Sequence, residues 1–194
     1  MAKTRQALIA VMATAAALFA ADSAVAAEGD QVRIVLHVTD YSHVPPALLG
    51  RAQAEVAAVY GRIGVDVVWT GPVDSEDDTH SFTVVILSRE RGLKMIATDG
   101  VADNVMGLAL KMARRAYVFE HRVREISAYN CLDYQKFLGK VLAHEVGHLL
   151  LTNGHAADGI MQPSFQVRTN RSEWFTPTQG TTIRAALVGA ANGN

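Results

Sequence analysis

The strongest constraint on how this chain folds lies between residues 132 and 152. Phe137, Leu138, Val141, Leu142, Val146, Leu149, Leu150 and Leu151 recur there at helical steps and spread most of the way round the axis. A helix apolar on that many sides is buried, so the rest of the domain must be built around it. The same helix carries His144, Glu145 and His148. Burying two imidazoles and a carboxylate without partners costs several kcal/mol, and a shared metal ion removes that cost. Asn153-Gly154 is placed to end the helix, because both residue types tolerate the left-handed conformation.

The surrounding pattern predicts a small mixed domain. Residues 32–38 read as a strand, with β-branched residues in partial alternation. Pro45-Pro46 opens an amphipathic helix that Gly64 is placed to end. Strands follow at 65–70 and 82–87, separated by an acidic loop over 74–80. Residues 89–104 carry no clear period. Residues 105–110 and 116–123 read as two paired strands joined through 111–115. Thr176-Pro177 starts a last helix, with Thr as N-cap and Pro at the first position. The order implies an α+β domain with one mixed, twisted sheet, a buried helix and a C-terminal helix.

Composition narrows the function classes. With 194 residues, 49% hydrophobic and 19% charged, the chain is long and apolar enough for one globular core. A formal net charge of -1 offers no global attraction to nucleic acid or anionic membrane. Lys3 and Arg5 precede an Ala-rich apolar run over 7–21, and small residues follow at 23–27. This is the layout of a secretory signal peptide over residues 1–26, which leaves 27–194 as the mature domain, secreted or periplasmic and free of the membrane. The single cysteine, Cys131, cannot form an internal disulfide and reads as a buried or half-buried bystander. His37, His43, His80 and His121 read as ordinary surface or hydrogen-bonded histidines.

The chemistry concentrates in His144-Glu145-Val146-Gly147-His148. On a helix the two histidines stand ~40° apart in azimuth and one turn apart along the axis, so both can reach one ion. Glu145 projects ~100° from His144 and ~60° from His148, which suits a base beside a metal-activated water better than a third ligand. A catalytic zinc site needs three protein ligands and an open position. His155, just past the helix stop, is the best third candidate, with Asp158 and Glu173 as competitors.

These residues resemble the metzincin metallopeptidases, whose pattern is His-Glu-x-x-His-x-x-Gly-x-x-His with a methionine turn after it. Here the third histidine, His155, falls one residue late, and Leu151 stands where the family has its turn glycine. An extra residue rotates the helix beyond it by ~100°, so the turn must differ. Gly159-Ile160-Met161-Gln162-Pro163 is similar to the methionine turn. The resemblance implies a metzincin-like zincin catalytic domain in which His144, His148 and His155 hold one Zn2+. It makes Glu145 the general base and places Met161 beneath the metal. It also implies that the strand with Gly107, Leu108, Ala109 and Leu110 pairs with a peptide substrate, and that residues 162–165 line the primed side. The function expected is that of an exported zinc metalloendopeptidase acting on peptide or protein substrates. The alternatives are a zinc hydrolase of a small amide and a non-catalytic binding protein stabilised by zinc.

Overall fold

The strand Ser81–Leu87 is buried at all seven positions, and the sheet grows outward from it on both sides. The computed structural model describes residues 32–72, 80–100, 102, 105–163 and 173–191. The expected signal segment, nearly all of the acidic loop and residues 164–165 lie outside the described residues.

Five strands form one sheet: β1 (Arg33–Asp40), β2 (Asp66–Thr70), β3 (Ser81–Leu87), β4 (Gly107–Leu110) and β5 (Arg115–Phe119), in the order β2-β1-β3-β5-β4. The first four in that order run parallel, and β4 closes one edge antiparallel to β5. Parallel strands are normally covered on both faces, which explains why β3 is apolar or small on both. Val84 and Ile86 join the main core with Ile34, Leu36 and Val118. Val85, Leu87 and Phe119 face the other way and form a smaller cluster with Met95 and Ile96.

The helices are α1 (Pro46–Gly61), α2 (Arg89–Asp99), α3 (Glu120–Tyr129), α4 (Tyr134–Leu150) and α5 (Pro177–Ala191). Helix α4 is the predicted buried helix, with Asp133 as N-cap accepting from Lys136 N at 3.1 Å. It lies against α1 in the main core, where Gly139 meets Ala52 and Glu55. At α5, Thr176 Oγ1 accepts from Gln179 N and Gln179 Oε1 accepts from Thr176 N, a reciprocal capping box.

Two segments differ from the sequence reading. Residues 89–99 form α2, capped by Ser88 and ended by Gly100 at φ 65°. The alternation expected over 116–123 stops at Phe119, and α3 begins at Glu120. Phe119, Val123 and Ile126 fall at helical spacing, and Glu120 pairs with Arg124 one turn on at 2.5 Å. Glu120 is buried and also accepts from Tyr134 Oη at 2.7 Å and Ser42 Oγ at 3.0 Å. Cys131 is exposed, contrary to expectation, in a turn at φ 54°. His37 and His121 are buried; His37 is hydrogen-bonded to Ser81 and Thr70, while His121 Nδ1 has no hydrogen-bond partner among the described residues. His80 bonds the carbonyl of Leu187.

Candidate metal centre

Helix α4 presents His144 and Glu145 from its buried side, with 4% and 6% exposure, and His148 half-buried one turn on. The helix stops at Leu150, before the Asn153-Gly154 pair. Leu151 is already extended, at φ -94° and ψ 139°, so no glycine is needed there. Lys111, in the 3-10 turn after β4, donates to the Leu151 carbonyl at 3.1 Å and holds this exit. An extended exit, rather than a glycine turn at position 151, is how the chain accommodates its additional residue.

Beyond it, Ala156 N donates to Met161 O at 2.8 Å and closes a loop. Gly159 sits at φ 80°, which the loop requires and a side chain would resist. The closure brings the Ile160 carbonyl to His144 Nδ1, at 2.7 Å. With Nδ1–H donated to that carbonyl, Nε2 is the unprotonated ring nitrogen of His144 and faces His148, the usual support of a metal-bound histidine. Met161 is fully buried below the ring-bearing turn, and a Cβ on Gly147 would come within 2.7 Å of its Sδ.

The result is a convergence of three imidazoles. One ring nitrogen from each of His144, His148 and His155 lies within 4.8 Å of the others, and the Nε2 atoms of His144 and His148 are 3.0 Å apart. Burial pushes the first two rings down to about 4, aided by the neighbouring histidines, so both are neutral at pH 7 and can donate lone pairs. A set of three imidazole nitrogen donors fits a transition metal such as zinc. Glu145 lines the same cleft, and burial pushes its carboxyl up to about 8.

The competing candidates stand elsewhere. Glu173 pairs with Lys140 at 2.5 Å, and the exposed Asp158 is outside the convergent group. The cleft holds about 520 Å³ and is lined by Gly107, Leu108 and Ala109 of β4, Ile126 of α3 and Pro163, together with the three histidines. Leu110, expected on this wall, lies at the far end of β4 and is 43% exposed. Sequence reasoning missed Ile126, because 120–129 read partly as strand. It also missed the Ile160 carbonyl, since a backbone acceptor leaves no mark in residue identity.

No protein-family model matches the sequence, and no curated protein does. Solved structures do match the fold. The zinc-dependent peptidase of Methanocorpusculum labreanum (strain Z) superposes with a TM-score of 0.52 at 17% identity, over 76% of this chain and 99% of that one. The archaemetzincin of Methanopyrus kandleri gives a TM-score of 0.52 at 17% identity, over 83% and 98%. Likeness at this identity is likeness of fold, and the metzincin-like architecture expected from the sequence is the architecture of this chain.

Proposed function

We propose that this chain is an exported zinc-dependent metallopeptidase that hydrolyses peptide bonds, with residues 27–194 as its catalytic domain. The observation that carries this reading is the meeting of three imidazoles and a buried carboxylate in one cleft beside a sheet edge. His144, His148 and His155 are the ligands. Zinc held there would supply Lewis acidity, polarising the scissile carbonyl and acidifying a water, and its charge would favour the ionised form of a nearby carboxylate. Glu145 takes a proton from the attacking water on a carboxylate oxygen and passes it to the leaving amine. His144, bonded to the Ile160 carbonyl, keeps its ring orientation throughout.

Strand β4 favours a peptide over a small amide. Among the described residues it pairs with β5 on one side only, which leaves its other edge for an extended chain running antiparallel. A purely structural zinc site closes with four protein ligands, whereas the convergent group among the described residues has three. A solved protein of the same fold is described as a zinc-dependent peptidase, which agrees with this reading. The positively charged start, apolar run and small-residue site over residues 1–26 support export, with Ala27 as the mature N-terminus. Among the described residues no helix is long and apolar enough to cross a membrane.

The test is digestion of a mixed-peptide library by the zinc-loaded mature protein beside its Glu145→Ala variant. Cleavage by the parent alone, abolished by chelation, is the expected result. No cleavage by a parent that demonstrably binds zinc would sink the peptidase reading.

A further inference from the structure

Gly107 is the first residue of β4 and is buried, with Val118 of β5 as its cross-strand partner. Its backbone is not in the left-handed region, so conformation does not demand a glycine here. Space does. A Cβ built on Gly107 would collide with Cγ of Glu145 and stand 2.5 Å from both its Cδ and Oε1. Real carbon contacts lie near ~3.5–4.0 Å, so the overlap is deep. Two positions further along the same face, Ala109 carries its Cβ on the cleft wall without such a demand.

The glutamate has little freedom to yield. It is 6% exposed, it rises from a helix buried along most of its length, and its side chain lies directly against the strand. The missing side chain of Gly107 is therefore the slot in which the Glu145 side chain rests. We infer that Gly107 is a positioning residue: by lacking a Cβ, it fixes where the Glu145 carboxylate stands relative to the three histidines and to the edge of β4. The inference rests on the role proposed above for Glu145, but its geometry is independent of any activity. It also gives Gly107 a different part from the one expected of it. Instead of only lending backbone to a peptide, it couples the strand to the proposed base.

The test is a double-mutant cycle of Gly107→Ala and Glu145→Ala, read by thermal unfolding of the metal-free protein, by zinc affinity, and by kcat and KM on a cleaved peptide. With Glu145 present, Gly107→Ala should lower the melting temperature. In the Glu145→Ala background the new methyl enters the vacated slot, and the same change should be neutral or stabilising. Zinc affinity should be unchanged, because the three atoms nearest the added carbon all belong to Glu145 and none to a histidine. The kcat should fall on the order of 100-fold, the size of loss expected from displacing a reacting group by about 1 Å, with KM within about threefold. If Gly107→Ala alone fails to fold, the double variant should fold. An equal melting shift in both backgrounds, a double variant that also fails to fold, or a Gly107→Ala enzyme with parental kcat would each overturn the inference. The unfolding cycle still decides the matter if neither parent nor variant cleaves peptides, so failure of the proposed activity and failure of this inference are separable.

Discussion

Replacing Gly139 by alanine tests the packing that holds the metal helix in place. Alanine is the better helix former by about 1 kcal/mol, so propensity alone predicts stabilisation. The structure predicts the opposite sign. A Cβ at position 139 would lie 2.5 Å from Glu55 Cβ, 2.7 Å from the Ala52 carbonyl oxygen and 2.9 Å from Glu55 Cγ. Two of these are backbone or stem atoms of α1 and cannot swing aside, so α1 and α4 must separate by about 1 Å to restore ordinary contact distances. Overpacking of this kind costs about 1–3 kcal/mol, which cancels or exceeds the propensity gain. Separation also pulls Tyr60 of α1 from the Ala143 carbonyl, now 3.2 Å away, and that carbonyl immediately precedes His144. The expected net loss is about 1–2 kcal/mol, or about 2–8 °C in melting temperature for a domain of this size. Gly50 supplies the control. It sits in α1, exposed, with nothing within 4 Å of an added Cβ, so Gly50→Ala should stabilise by about 0.5–1 kcal/mol. Urea unfolding of the two variants beside the parent measures both. If Gly139→Ala matches Gly50→Ala in sign, the close approach of the helices is not what restricts position 139.

Glu145 and His155 give two further predictions. In the metal-free protein, burial raises the Glu145 carboxyl to about 8 from an ordinary value near 4.5, so between these pH values the folded state holds the proton more firmly than the unfolded chain. Its contribution to stability is therefore full below about pH 4.5 and lost as pH rises through about 8. Glu145→Gln removes that titration, so its urea midpoint should gain on the parent's between pH 5 and pH 8, by up to about 3–4 kcal/mol in free energy; a gap that stays constant would refute it. His144 and His148 act in the reverse sense, losing stability as pH falls from about 6.5 towards 4, but they are common to both proteins. For the ligand set, His155→Ala should weaken zinc binding by more than about 100-fold, beyond the loss typical of second-sphere changes. Glu173→Ala, which only frees Lys140, should leave zinc affinity at the parental value; competition titration with a chromogenic chelator tells the two apart.

What the sequence determined by itself was local and periodic. The apolar spread of α4, the four-residue step from His144 to His148 and the Thr176-Pro177 start of α5 are set by neighbours within a turn or two, and each is where the residues put it. Residue chemistry ranked His155 ahead of Glu173, and it is His155 whose ring converges with His144 and His148. The end of the β5 strand was less legible, because Phe119 belongs to the strand's alternation and to the spacing of α3 at once. Only the tertiary structure decided how the parts meet. The 156–161 loop closes on its own backbone and aims the Ile160 carbonyl at His144, a contact across 16 residues made by an atom every residue type possesses. The slot at Gly107 belongs to an edge strand and a helix 38 positions apart, and a glycine in sequence does not announce what fills the place of its side chain. Helical spacing is carried by short-range geometry, whereas the fit of a strand against a helix depends on how the intervening chain packs, and that is settled only when the whole core is assembled.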